Sequence, residues 1–100
     1  MPRTHRGFCF TVNTHTPSDV SAVRALASYP SVSEVIAGEE TAPTTERRHI
    51  QGYISFADPV TQEEARRTLP NRAHVRPVRN PRGARRYCTK GNRVFVNKRS

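Results

Sequence analysis

The 100 residues carry 17 lysines and arginines against 8 acidic side chains, a formal net charge of +9, with 34% hydrophobic content. That length and apolar fraction suit one small domain and leave no room for a second. No apolar stretch is long enough for a membrane span or a signal-peptide centre, and no Walker-type phosphate loop or internal repeat is present, so the chain is expected to be soluble and to drive no ATP chemistry of its own.

The charge is unevenly spread. Twelve basic side chains and no acidic one lie between Arg66 and Arg99, whereas residues 1–64 hold five basic and eight acidic ones. A merely solvated surface interleaves both signs, so the asymmetry predicts a polyanionic partner, nucleic acid first, held by the C-terminal third. Cys9 and Cys88 are the only cysteines. They are too few for a zinc ribbon or a disulfide framework and are expected as reduced core thiols of an intracellular protein.

In chain order, Phe8 to Thr14 alternates Phe8, Phe10 and Val12 with Cys9, Thr11 and Asn13, the period of a half-buried strand. Thr16-Pro17-Ser18-Asp19 supplies an N-cap, a proline at the first helical position and an acid at the third, and predicts a helix to about Ser28, ahead of Pro30. Val32 to Thr41 reads as a second strand, followed by a polar, Pro43-containing loop. A third strand runs from Arg48 to Phe56, with Ile50, Ile54 and Phe56 facing the core and His49, Gln51, Tyr53 and Ser55 facing the other way.

Asp58-Pro59 and Thr61-Gln62-Glu63-Glu64 give overlapping starts for a two-turn helix that closes before Pro70. Ala73 to Arg79 predicts an edge strand, because Pro77 lacks a ladder donor. Asn80-Pro81 caps a third helix reaching Lys90 and Gly91, and Arg93 to Asn97 adds a short last strand. The expected fold class is α+β, a central antiparallel sheet of about five strands with packed helices.

Chemistry concentrates in two places. Tyr87 and Lys90, three apart on the third helix, share a face, so the ammonium can stabilise charge developing on or near a phenol that is otherwise a poor nucleophile at neutral pH. His49 and Gln51, two apart, share a face of the third strand, and a hairpin across the polar loop would bring Glu39 or Glu40 beside them. One imidazole among oxygen donors suits Mg²⁺ or Mn²⁺ better than a tetrahedral zinc site. Arg76 and Arg79 on the fourth strand, with Arg85 and Arg86 on the tyrosine helix, are expected to contact phosphates.

Three blocks in order, Phe10-Thr11-Val12-Asn13-Thr14, His49-Ile50-Gln51-Gly52 and Tyr87-Cys88-Thr89-Lys90, resemble the rolling-circle motifs of HUH-type replication initiators, and most nearly those of circoviruses and related small circular single-stranded DNA viruses. The likeness extends from Phe8 to Gly91 and includes Gly38-Glu39-Glu40. It implies a divalent metal, Mg²⁺ or Mn²⁺, bound by Glu40, His49 and Gln51. It further implies Tyr87 as the nucleophile that nicks single-stranded DNA at a stem-loop origin and keeps the 5′-phosphate, Lys90 assisting at the reacting phosphate, and Thr11 and Asn13 along the DNA path. Action in the host nucleus belongs to the same set of expectations.

Two positions depart from the family pattern: Gln51 stands where the family name has a second histidine, and Thr14 replaces a second asparagine. The usual C-terminal helicase is absent from these 100 residues, so the chain is expected to be a nuclease domain excised from a longer protein, whose oligomerisation would run through other regions. Two competing readings are a noncatalytic RNA-binding module of the RRM type, echoed by Gly52-Tyr53-Ile54-Ser55-Phe56, and a basic ribosomal-type protein in which Tyr87 and His49 carry no chemistry.

Overall fold

The alternation at the N-terminus produces β1, Thr4–Asn13, with Phe8, Phe10 and Val12 buried on one face. The computed structural model describes residues 2–13, 15–41, 48–80, 83–86 and 93–99. After β1 come α1 (Pro17–Ala25), continued by a 3-10 turn over Leu26–Ser28, then β2 (Val32–Thr41), β3 (Arg48–Thr61), α2 (Gln62–Thr68), β4 (His74–Pro77) and β5 (Arg93–Lys98). The five strands form one antiparallel sheet in the order β4-β1-β3-β2-β5, so the fold is α+β with β1 and β3 at its centre.

Both helices start where side-chain chemistry directs. Thr16 accepts from the Asp19 N–H while the Asp19 carboxylate accepts from the Thr16 N–H, and Thr61 and Glu64 repeat this reciprocal box at α2. The Glu64 carboxyl is held below its ordinary value, first by the Thr61 backbone N–H and then by the Thr61 hydroxyl. α1 and its 3-10 turn contribute Val23 and Leu26, and α2 contributes Ala65, to a core built on Phe8, Phe10, Val12, Val35, Ile50, Ile54, Phe56 and Val75. Each large apolar side chain buried this way contributes on the order of 2 kcal/mol.

β3 extends five residues beyond the predicted end at Phe56. Its pairing with β1 slips between Gly7↔Ser55 and His5↔Val60, and Asp58-Pro59 falls in this irregular stretch, where no ladder hydrogen bond is demanded of the proline. The helix signal read at Asp58-Pro59 is therefore part of a strand, and only the Thr61 cap opens α2. β4 is the edge strand expected from Pro77 but is shorter, and it pairs with β1 from Phe8↔Pro77 to Thr11↔His74. Of the predicted third helix, residues 83–86 are described and are helical.

Cys9 departs from the sequence expectation: it is disulfide-bonded rather than a reduced thiol. The second cysteine of the sequence, Cys88, lies outside the described residues. Among the described residues no helix is long and apolar enough to cross a membrane.

Candidate active site

The sheet has two unlike faces. The apolar one packs against α1 and α2; the other presents ranks of residues set by cross-strand register. Because directly opposed residues of an antiparallel pair point to the same side, the pairings Asn13↔His49 and Glu40↔His49 put Asn13, His49 and Glu40 in one rank. Thr11, Gln51 and Gly38 form the next, with His74 of β4 opposite Thr11. One rank further lie Cys9, Tyr53 and Ile36, flanked by Arg76 and Asn97.

Register also separates the two adjacent glutamates. Glu40 Oε2 lies 3.2 Å from His49 Nε2, with both side chains partly exposed. Glu39, opposite Ile50, belongs to the other face, where its Oε2 is 2.9 Å from Nε2 of a nearly buried His15. The face that carries His49 and Gln51 thus carries Glu40 and not Glu39.

Among the described residues no three His, Cys, Asp or Glu side chains come together to hold a metal ion. Glu40 and His49 supply two such donors, and the half-buried Gln51 on the same face offers an amide oxygen as a third. Neighbouring ligands of an octahedral Mg²⁺, each at about 2.1 Å, stand about 3 Å apart, close to the 3.2 Å observed between the Glu40 and His49 atoms. The carboxylate, imidazole and amide set fits a hard divalent ion.

Beside these ranks a groove of about 660 Å³ runs over β1 and β4, lined among others by Thr11, Asn13, Gln51, Gln62, Arg66, His74 and Arg76. Its polar wall includes both first-motif residues and one of the predicted phosphate contacts. Arg79 and Arg86 are exposed, as a phosphate contact requires. Arg85 is placed differently, its guanidinium held by Asn97 at 2.7 Å and Glu34 at 3.4 Å. Tyr87 and Lys90 lie outside the described residues.

The helical segment 83–86 sits on this same face. Ala84 packs with a fully enclosed Tyr53, bordered by Cys9, Ile36 and Val78. Tyr53, expected among the chemistry-bearing residues of β3, is instead the centre of a second, smaller core. Gly7 makes this possible, since a Cβ there would come within 2.6 Å of the Tyr53 hydroxyl.

Sequence reasoning missed His15, whose histidine carries no periodic signal beyond following the first motif, and His74, Gln62 and Arg66, which only the β1–β4 pairing and the position of α2 bring to the groove. His15 is also distinctive in that its Nδ1 is buried with no hydrogen-bond partner among the described residues.

Comparison with known proteins agrees with this arrangement. The model of the Viral_Rep family of viral replication proteins matches residues 5–91. A Para-Rep C1 of Faba bean necrotic yellows C11 alphasatellite is 32% identical over 84 residues, covering 83% of this chain and 30% of that protein. A Para-Rep C2 of Subterranean clover stunt C2 alphasatellite is 33% identical over 86 residues, 85% of this chain and 30% of the relative. A replication-associated protein of Human associated cyclovirus 1 is 29% identical over 94 residues, 92% of this chain and 33% of the relative. The chain therefore spans about a third of the length of these relatives. With all three sequence blocks inside the matched span, and the first two meeting on one sheet face, the chain belongs to the Viral_Rep family, the replication proteins of circular single-stranded DNA viruses.

Proposed function

We propose that this chain is a divalent-metal-dependent endonuclease and strand transferase that nicks single-stranded DNA at a viral stem-loop origin and so starts rolling-circle replication in the host nucleus. The observation that carries the reading is the register that sets Glu40 and His49 side by side, with Gln51, Thr11 and Asn13 on the same face. Glu40, His49 and Gln51 would hold Mg²⁺ or Mn²⁺, which when bound polarises a phosphoryl oxygen.

The protein's own residues do the rest. Asn13 and Thr11 line the groove and orient the strand, and the exposed Arg76, Arg79 and Arg86 hold its phosphates. The Tyr87 phenolic oxygen attacks the scissile phosphorus and loses its proton. A P–O bond to the tyrosine forms as the bond to the 3′ oxygen breaks, and that oxygen departs as a protonated 3′-hydroxyl. Lys90 offsets charge on the reacting phosphate. One phosphodiester replaces another, so the step is reversible and a supplied 3′-hydroxyl strand is rejoined.

Burial of Tyr53 weighs against the RRM-type reading, since an RNA-stacking aromatic must be open to bases and this ring is 2% exposed. The test is a denaturing gel of a labelled origin-type stem-loop incubated with protein and Mn²⁺. Nicking should require the ion, vanish with chelator while much of the DNA binding persists, and disappear in Tyr87→Phe. Undiminished nicking in Tyr87→Phe, or with chelator, would overturn the proposal.

A further inference from the structure

We propose that Arg85 is a positioning residue for Tyr87, acting through a clasp with Glu34 and Asn97, and not a contact to the DNA backbone. The inference rests on the reading of Tyr87 as nucleophile. Arg85 follows Ala84, which is buried against Tyr53, and its own side chain is 16% exposed. Nη2–H donates to Asn97 Oδ1 at 2.7 Å and Nη1–H to Glu34 Oε2 at 3.4 Å.

The acceptors come from two strands, β5 and β2, so a single planar fork ties segment 83–86 to the sheet at two points. A guanidinium held from two different nitrogens is fixed in both direction and rotation, which a lysine cannot reproduce. The Glu34 carboxylate also neutralises Arg85 locally and would repel a phosphate brought to the same place. Arg86, next in sequence, is exposed and is the better phosphate contact.

Only Arg86 separates Arg85 from Tyr87 in sequence. Misplacement of a reacting group by about 1 Å can lower a rate roughly a hundredfold. The clasp therefore governs the rate of attack more than the affinity for DNA.

The experiment measures single-turnover adduct formation at saturating single-stranded DNA with Mn²⁺, alongside DNA affinity by fluorescence anisotropy over a salt series. Glu34→Gln, Asn97→Ala and Arg85→Lys are each expected to slow adduct formation about tenfold or more. Affinity and its salt slope should stay close to those of the unsubstituted protein. Glu34→Gln is decisive because it is isosteric and removes a negative charge. An unchanged rate with tighter DNA binding in Glu34→Gln, and weaker binding with a shallower salt slope in Arg85→Lys, would overturn the inference and return Arg85 to the phosphate contacts. Failure of the unsubstituted protein to form any adduct would overturn the Tyr87 reading itself, and with it this one.

Discussion

Replacing Gly52 by alanine tests whether the second sequence block is built as described. Gly52 lies between Gln51 and Tyr53 on β3 but points to the apolar face, opposite Phe10 and Ala37. An added Cβ would meet the Ile36 carbonyl oxygen at 2.6 Å, the tip of the Phe10 ring at 2.6 Å and the Ala37 Cβ at 2.9 Å. Ordinary contact begins near 3.4 Å. Phe10 is 2% exposed and cannot swing away, and the carbonyl belongs to the central sheet. Overpacking a close-packed core costs about 1–3 kcal/mol, and with a backbone atom among the clashes the upper end applies. For a domain of this size about 3 kcal/mol lowers Tm by roughly 12–24 °C. Thermal unfolding followed by circular dichroism, with a urea titration showing an unchanged m-value, measures this directly. A Gly52→Ala protein that melts within a few degrees of the parent would refute the packing of β3 against Phe10.

Three other outcomes follow from named contacts. Glu40→Ala should weaken Mn²⁺ binding at least tenfold by calorimetry, while Glu39→Ala should leave it largely intact and cost about 1–3 kcal/mol of stability by stripping nearly buried His15 of its partner; the reverse pattern would show the wrong glutamate was assigned to the metal. Arg76→Ala should weaken single-stranded DNA binding and reduce the slope of log K against log salt by roughly 0.7, which anisotropy at several salt concentrations would detect. Because the Glu64 carboxyl is held below its ordinary value of 4.5 by the Thr61 N–H, its contribution to stability is full above that pH and is lost as pH falls through the lower folded value; melting curves of parent and Glu64→Gln should differ at pH 6 and converge at low pH, and an equal gap at both would contradict the capping box.

Local patterns carried much of the fold. Alternation in β1, the Thr16 and Thr61 boxes and the donor lost at Pro77 each act within a few residues, and each element formed near its predicted place. What local pattern could not decide depended on register. Glu39 and Glu40 are equivalent in composition, and only the β2–β3 pairing turns one toward His15 and the other toward His49. Tyr53 has the parity of a chemistry-bearing residue, but the helical segment at 83–86 covers it. Arg85 looked like one more cation in a basic run, since the strands bearing Glu34 and Asn97 are 51 and 12 residues away from it in sequence. Asp58-Pro59 reads as a helix start until the irregular β1–β3 pairing gives the proline a place in a strand.

The central claim is a covalent tyrosine link to DNA. Incubating the protein with Mn²⁺ and an origin-type stem-loop oligonucleotide, then digesting and mapping the adduct by mass spectrometry, addresses it most directly. The account predicts one nucleotide-modified peptide, containing Tyr87 joined to the 5′-phosphate of the strand downstream of the break, and none in Tyr87→Phe. Cleaved DNA with no modified peptide, or an adduct on Tyr29 or Tyr53, would contradict it.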